Sequence, residues 1–333
     1  MPNIDIGLQQ ILDANQISFD VSDKYKSLYN SLNEIKTLLL KLNINNPDFK
    51  STISKINNLL ISCKNLELSF SKDEKTIFQS LFREILLPII NKSSFNNYCY
   101  SKPRGYAGDF KMMESIWNYR TAKNIHPLSS LGEILDQWIF DMPNCKANEE
   151  RVYILNSFFE KHKNAKEIAS IGCGSVIELD FYLSRNKSNT IETIHLFDQD
   201  QGALDLATKK LEKFNKKIVI HKGNILKSIF KAPNNICDLA YSSGLFDYFD
   251  IKSSDKLMNK IWTLIKPKGH LCIVNSNPKN PSKFWMEYAM DWYLEYKEMN
   301  EFMQVFIQLN NIQEYVLRKD SLGIYQYSYL KKD

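Results

Sequence analysis

Near residue 166 the spacing of apolar residues changes, and that change leaves few folds open to the chain. Downstream, "EIASIGCG" (167–174), "TIHLFDQD" (193–200), "KIVIHKGN" (217–224), "ICDLAYSSG" (236–244) and "HLCIVNSNP" (270–278) are short apolar runs. Each ends in a polar or glycine-containing turn. The segments between them, such as "QGALDLATKKLEKF" and "KSSDKLMNKIWTLIKP", carry helical spacing. Buried strands alternating with helices predict an α/β fold with a doubly wound, mostly parallel sheet. Such sheets bind ligands at the carboxyl ends of their strands. "EYVLRK" and "GIYQYSYLKK" flank a turn at Asp320–Gly323 and are expected to pair antiparallel.

Upstream the period is helical. Tyr25, Leu28, Leu32, Ile35, Leu39 and Leu42 alternate spacings of three and four. After Asn45-Asn46-Pro47 the pattern resumes at Phe49, Ile53, Ile56, Leu60 and Cys63, as in an antiparallel helix pair. Ser71 and Glu74 form a capping box that starts a third helix, which Pro88 is expected to disturb. Further helices are expected over 109–122, 130–141 and 147–162. The domain reading is therefore an all-α region over 1–165 and an α/β domain over 166–333.

Composition removes several functions. The net charge is +5 with lysines dispersed through helices, which gives no concentrated basic surface for nucleic acid. The six cysteines occur singly, with no CxxC and no Cys/His pair at zinc spacing, so neither disulfides nor a metal site is expected. No basic segment followed by an apolar run opens the sequence, and no apolar stretch has the length of a membrane span. The expectation is a cytoplasmic protein without stable membrane insertion.

Three strand ends carry ligand chemistry. Gly172-Cys173-Gly174-Ser175 lets a ligand approach the backbone at the start of a helix, although a tight turn alone would use the same residues. Asp198 ends the second run 24 residues after Gly174, where a carboxylate can accept both hydroxyls of a ribose. Asp200 reads better as a helix cap. Asn224 and Ile225 follow the third run, placed to meet an adenine edge. A dinucleotide would require glycine at the position held by Ile177, so a nucleoside without pyrophosphate fits better, and S-adenosyl-L-methionine is the expected cofactor.

These residues, in this order, resemble the class I methyltransferases. "SKPRGYAGDFKMM", "YSSGLFDYF" and "FWMEYAMDWYLEY" resemble something narrower, the bacterial family labelled as making a 3-hydroxypalmitic acid methyl ester signal; that likeness covers about 95–330. The resemblance implies a cofactor set of Gly172, Cys173, Gly174, Asp198, Gln199, Asn224, Ile225 and Ser242. The glycines of the 98–113 segment permit a lid-like turn. There Arg104 would pair with a carboxylate of cofactor or substrate, and Tyr106 would flank the sulfonium. Asp109 either lines the substrate pocket or caps the next helix.

Trp285, Tyr288 and Trp292 lie on one face of a helix expected over 281–297, either as a packing stripe or, with Tyr248, as an acceptor-pocket wall. Glu287, Asp291 and Glu295 read as a solvated acidic row. Asp247, His126 and Asp109 are the candidate bases, with Arg104, Tyr106 and Asp247 as the catalytic set; none is an unmistakable base. That favours a carboxylate acceptor, which is ionised without help. The expected reaction is O-methylation of a small-molecule or fatty-acyl carboxylate. A protein methyltransferase with a target-binding helical region, or a non-enzymatic binding protein with a relic core, are the alternatives.

Overall fold

The structure, a computed structural model, describes residues 22–43, 48–122 and 128–333. The Asn45-Asn46-Pro47 turn and His126 lie outside the described residues. In chain order the elements are α1 (Ser22–Leu40), α2 (Phe49–Glu67), α3 (Lys72–Ile90), α4 (Ser94–Ser101), α5 (Phe110–Thr121), α6 (Leu131–Phe140) and α7 (Pro143–Lys161). Then come β1 (Glu167–Ile171), α8 (Ile177–Arg185), β2 (Thr193–Asp198), α9 (Gln201–Leu211), β3 (Lys217–Lys222), α10 (Ile225–Lys231) and β4 (Cys237–Ser243). The remainder is α11 (Ile251–Leu264), β5 (Ile265–Ser276), α12 (Lys283–Ala289), α13 (Met299–Gln304), β6 (Ile312–Lys319) and β7 (Tyr325–Lys332).

Two compact units share the chain. Among the described residues, unit 1 takes 22–43, 48–107, 128–141 and 284–292; unit 2 takes 108–122, 142–283 and 293–333. This division differs from the expected boundary at 165, because α5 and α7 belong with the sheet and 284–292 belongs with the helices.

In unit 1 the apolar stripe of α1 is buried, as are Ile56, Leu60 and Cys63 of α2. The Ser71–Glu74 capping box starts α3. The helix runs through Pro88 and ends at Ile90. A proline so near the end disturbs only the last turn, and the buried Leu86, Leu87, Ile89 and Ile90 hold that turn in place. Phe284, Trp285 and Tyr288 are buried against Phe78, Phe82 and Trp138, with ring centroids 4.9–6.5 Å apart.

The expected helix over 281–297 is therefore short. It stops at Ala289, and Asp291 takes a left-handed φ of 51°. Its carboxylate accepts from Arg83 Nη2 at 2.6 Å and pairs with Lys102, which explains the break and corrects the solvated acidic row. Asp291 is held below the usual carboxylate range: burial pushes it up, but the Lys102 and Arg83 hydrogen bonds prevail.

Unit 2 is a seven-stranded sheet in the order β3-β2-β1-β4-β5-β7-β6. β1 to β5 run parallel and β7 lies antiparallel between β5 and β6. Alternate strand residues feed two apolar layers. One packs against Leu155, Phe159, Leu179 and Leu204; the other packs against Ile229, Leu257, Ile261 and Phe302. The topology reverses between β1 and β4, which opens a crevice at their carboxyl ends. No helix among the described residues is long and apolar enough to cross a membrane.

Candidate active site

The crevice is built around one carboxylate. Asp198, at the end of β2, accepts from Gly174 N through one oxygen and from Asp200 N through the other, both at 2.9 Å. It thus ties the β1 turn to the β2 end. Burial pushes its pKa up, while the Asp200 and Gly174 N–H bonds pull it back. Each oxygen keeps a further lone pair, so the group can still accept a ribose diol. Gly172 and Gly174 take φ of 65° and 52°. A Cβ at Gly172 would also meet Leu245 at 3.1 Å, so that turn requires glycine. Val176, buried with φ 50°, extends the left-handed backbone into the first turn of α8. A β-branched residue is costly there, and such strain concentrates at ligand sites. Asp200 caps α9 through Gly202 N and Ala203 N.

The sequence reading named Ser175 only as the end of the glycine turn and did not single out Glu114. Ser175 Oγ donates to Glu114 of α5, which also pairs with Lys210 of α9. Phe110 lies 3.7 Å from where a Gly174 Cβ would stand. Asp109, buried, accepts from Lys111 N at 2.8 Å and Met112 N at 3.0 Å, which assigns it to capping α5 rather than to a substrate pocket. The charged, glycine-rich segment is explained in part by the fold. Lys102 closes α4 in the left-handed region, Gly105 and Gly108 take φ of 83° and 71°, and unit 2 begins at Gly108. Arg104 and Tyr106 are half-buried in unit 1.

The other expected residues scatter. Cys173 is buried, and burial raises its thiol pKa well above the ordinary value, so it contributes backbone and bulk rather than a nucleophile. Gln199 and Asn224 are exposed beside Asp198 and at the start of α10, and Ile225 is buried. Ser242 is fully buried and donates to Ile171 O at 2.9 Å, which makes it a tie between β4 and β1. Tyr248 is 41% exposed. Trp285, Tyr288 and Trp292 belong to unit 1 and are buried.

Past β4, Asp247 is buried, and its Oδ1 accepts from Ser276 N at 2.6 Å and Asn275 Nδ2 at 2.8 Å. Burial raises its pKa to about 6 against those bonds and the charges of Arg151 and Lys297. Lys297 Nζ is spent on the carbonyls of Phe246 and Phe249 at 2.9 and 2.8 Å. No signal in the sequence marks Arg151. It follows Asn144 and Asn148 on α7, a spacing that reads as an ordinary wet face, yet both asparagines are buried.

Comparison with known proteins follows this geometry. Residues 169–273 match the family described as "Methyltransferase domain". No curated protein matches the chain. A possible exported protein from Bordetella parapertussis is 15% identical with a TM-score of 0.58, covering 94% of this chain and 98% of its own. A SAM-dependent methyltransferase from Archaeoglobus fulgidus is 13% identical with a TM-score of 0.43, covering 56% of this chain and 96% of that one. Another from Methanosarcina mazei is 16% identical with a TM-score of 0.38, covering 51% and 93%. Residues 169–273 are thus similar to a methyltransferase domain, and the sheet that holds them has a Rossmann-like arrangement.

Proposed function

We propose that the chain methylates a carboxylate oxygen of a small-molecule or fatty-acyl acid, as its likeness to the 3-hydroxypalmitic acid methyl ester family implies. Asp247 carries the argument. It is the one sequence-derived base candidate at the β4 end, and its Oδ1 is committed to Ser276 N and Asn275 Nδ2. A carboxylate acceptor is ionised at neutral pH and asks no base of the site. When bound, S-adenosyl-L-methionine supplies a methyl group; the O–C bond forms as the S–C bond breaks, and no proton is released. The chain's own part is to orient the acceptor, which can contribute on the order of 7–11 kcal/mol. Gly172, Gly174, Asp198, Asn224 and Ile225 are the proposed cofactor residues. Arg104 and Tyr106 remain proposed ligand contacts on their residue types; Arg104→Ala should lose activity with the fold intact, and full activity would remove it.

The test is incubation with methyl-labelled cofactor and cell extract. Label should enter an acidic metabolite or lipid and leave as methanol under mild alkali. Label stable to alkali, or carried into protein, would reject the reading. One observation favours a second reading, a hydroxyl acceptor: burial pushes Asp247 up to about 6, in the range of a general base, and its Oδ2 lies 3.8 Å from where a Gly244 Cβ would stand. In that case the rate falls as pH drops through about 6, whereas a carboxylate acceptor leaves it nearly level there.

A further inference from the structure

We infer that Arg151 is the carboxylate anchor of this site. The inference rests on the cofactor-binding reading of the crevice, and it adds on α7 a carboxylate-binding residue that the sequence reading did not name. Three observations support it. Arg151 makes no ion pair among the described residues. Its Nη2 lies 3.7 Å from Met113 Sδ, and its guanidinium carbon lies 5.1 Å from the Tyr325 ring centroid. Its guanidinium has five donors and contacts a thioether and a ring face, while the carboxylates of Glu178 and Asp247 act on it without forming an ion pair.

The second observation is place. Arg151 Nη1 is 3.3 Å from where a Gly244 Cβ would stand, and Gly244 has φ 103°. That backbone conformation favours glycine, and a side chain there would press on the guanidinium at the β4 end. Tyr325 begins β7, while Asp198 ends β2. In the order β3-β2-β1-β4-β5-β7-β6, Arg151 therefore stands across β1 from the ribose-binding carboxylate. A ligand whose ribose meets Asp198 extends its other end toward β4, where an acceptor must also arrive.

The third observation is the company Arg151 keeps. Tyr327, which contributes to its electrostatic surroundings with Tyr325, Glu178 and Asp247, is fully buried, and its hydroxyl has no hydrogen-bond partner among the described residues. Asn148, one turn earlier on α7 and 5% exposed, has an unpartnered Oδ1. Among the described residues, β7 and α7 thus hold buried polar atoms without partners, and Arg151 is a cation beside them able to grip a carboxylate bidentately. Two carboxylates of one chemistry can occupy it: the methionyl end of the cofactor, or the acceptor acid.

The experiment separates them on the full chain, comparing wild type with Arg151→Ala and with the bulk-retaining Arg151→Lys and Arg151→Met. The first arm measures binding of S-adenosylhomocysteine and of methylthioadenosine, which lacks the amino-acid end. The second saturates the protein with S-adenosylhomocysteine and titrates butyrate, decanoate, hexadecanoate and their primary amides. The expected result is that one ratio, homocysteine form over thioadenosine or acid over amide, falls about tenfold or more in Arg151→Ala and Arg151→Met. Arg151→Lys should lie between. Collapse of the first ratio assigns the anchor to the cofactor, and collapse of the second assigns it to the acceptor. If folded variants leave both ratios at the wild-type value, Arg151 is not the anchor. If wild type binds neither nucleoside, the cofactor reading itself fails.

Discussion

Two aspartates, one in each unit, meet opposite fates. Asp291 in unit 1 has Arg83 and Lys102 on its carboxylate and is held below the ordinary range. Asp247 in unit 2 is more deeply buried, hydrogen-bonded by neutral donors, and pushed up to about 6. Among the described residues the neighbouring Arg151 forms no ion pair, and its charge draws Asp247 down only part of the way that burial raises it. Asp291 is paired in unit 1, whereas Asp247 and Arg151 form no ion pair with each other at the end of the unit 2 sheet, although unit 2 pairs Glu114 with Lys210 elsewhere. Perturbed groups of this kind mark candidate sites, which substitution can test.

The comparison can be broken first at its strongest point. Asp198→Ala removes the clamp on Gly174 N and the diol acceptor together. S-adenosylhomocysteine affinity should fall about a hundredfold or more by calorimetry, with the melting curve still cooperative. Unchanged affinity would displace the cofactor from this crevice.

Asp247→Asn tests the buried carboxyl. A pKa raised from 3.8 to about 6 means that the folded state binds the proton more tightly than the unfolded chain does. Wild type should therefore lose stability as pH rises from about 4 to 6, by on the order of 3 kcal/mol relative to Asp247→Asn, and then level off. Denaturant titrations at pH 4, 5, 6 and 7.5 read this directly. A wild type that gains on the variant across that interval would contradict the assignment.

Asp291→Asn should behave in the opposite sense. Its carboxylate is half-exposed, so the loss near neutral pH should be only about 1–2 kcal/mol, fading as pH falls through the carboxylate range. A smaller effect is expected for Glu114→Gln, which keeps the shape but drops the charge shared by Ser175 and Lys210. Cofactor affinity should fall about threefold, less at high salt. No change would mean that α5 only packs beside the glycine turn.

Sequence pattern revealed the sheet better than the site. Five parallel strands and the terminal hairpin stand where apolar runs ended in turns, because alternation and turn chemistry are local properties. Asp198 and the glycines were legible for the same reason: they sit at strand ends, and strand ends are readable. The 281–297 helix misled because Asp291 answers to Arg83 and Lys102, about 190–210 positions away in sequence. Arg151 was invisible for a related reason. A polar residue every third or fourth position looks like an exposed face, and only the fold shows that Asn144 and Asn148 are buried. Long-range partners, not local propensity, decide which polar residues are special.

The interleaving of the two units also sets a timetable for biosynthesis. Phe78 and Phe82 leave the ribosome early, but Phe284, Trp285 and Tyr288, which complete their hydrophobic cluster, are translated some two hundred codons later. At 5–20 residues per second that delay is about 10–40 s. During that interval the nascent helices carry an apolar face awaiting its last strip, a natural station for a holdase chaperone. A gene truncated before codon 284 would yield a polypeptide that never leaves that station.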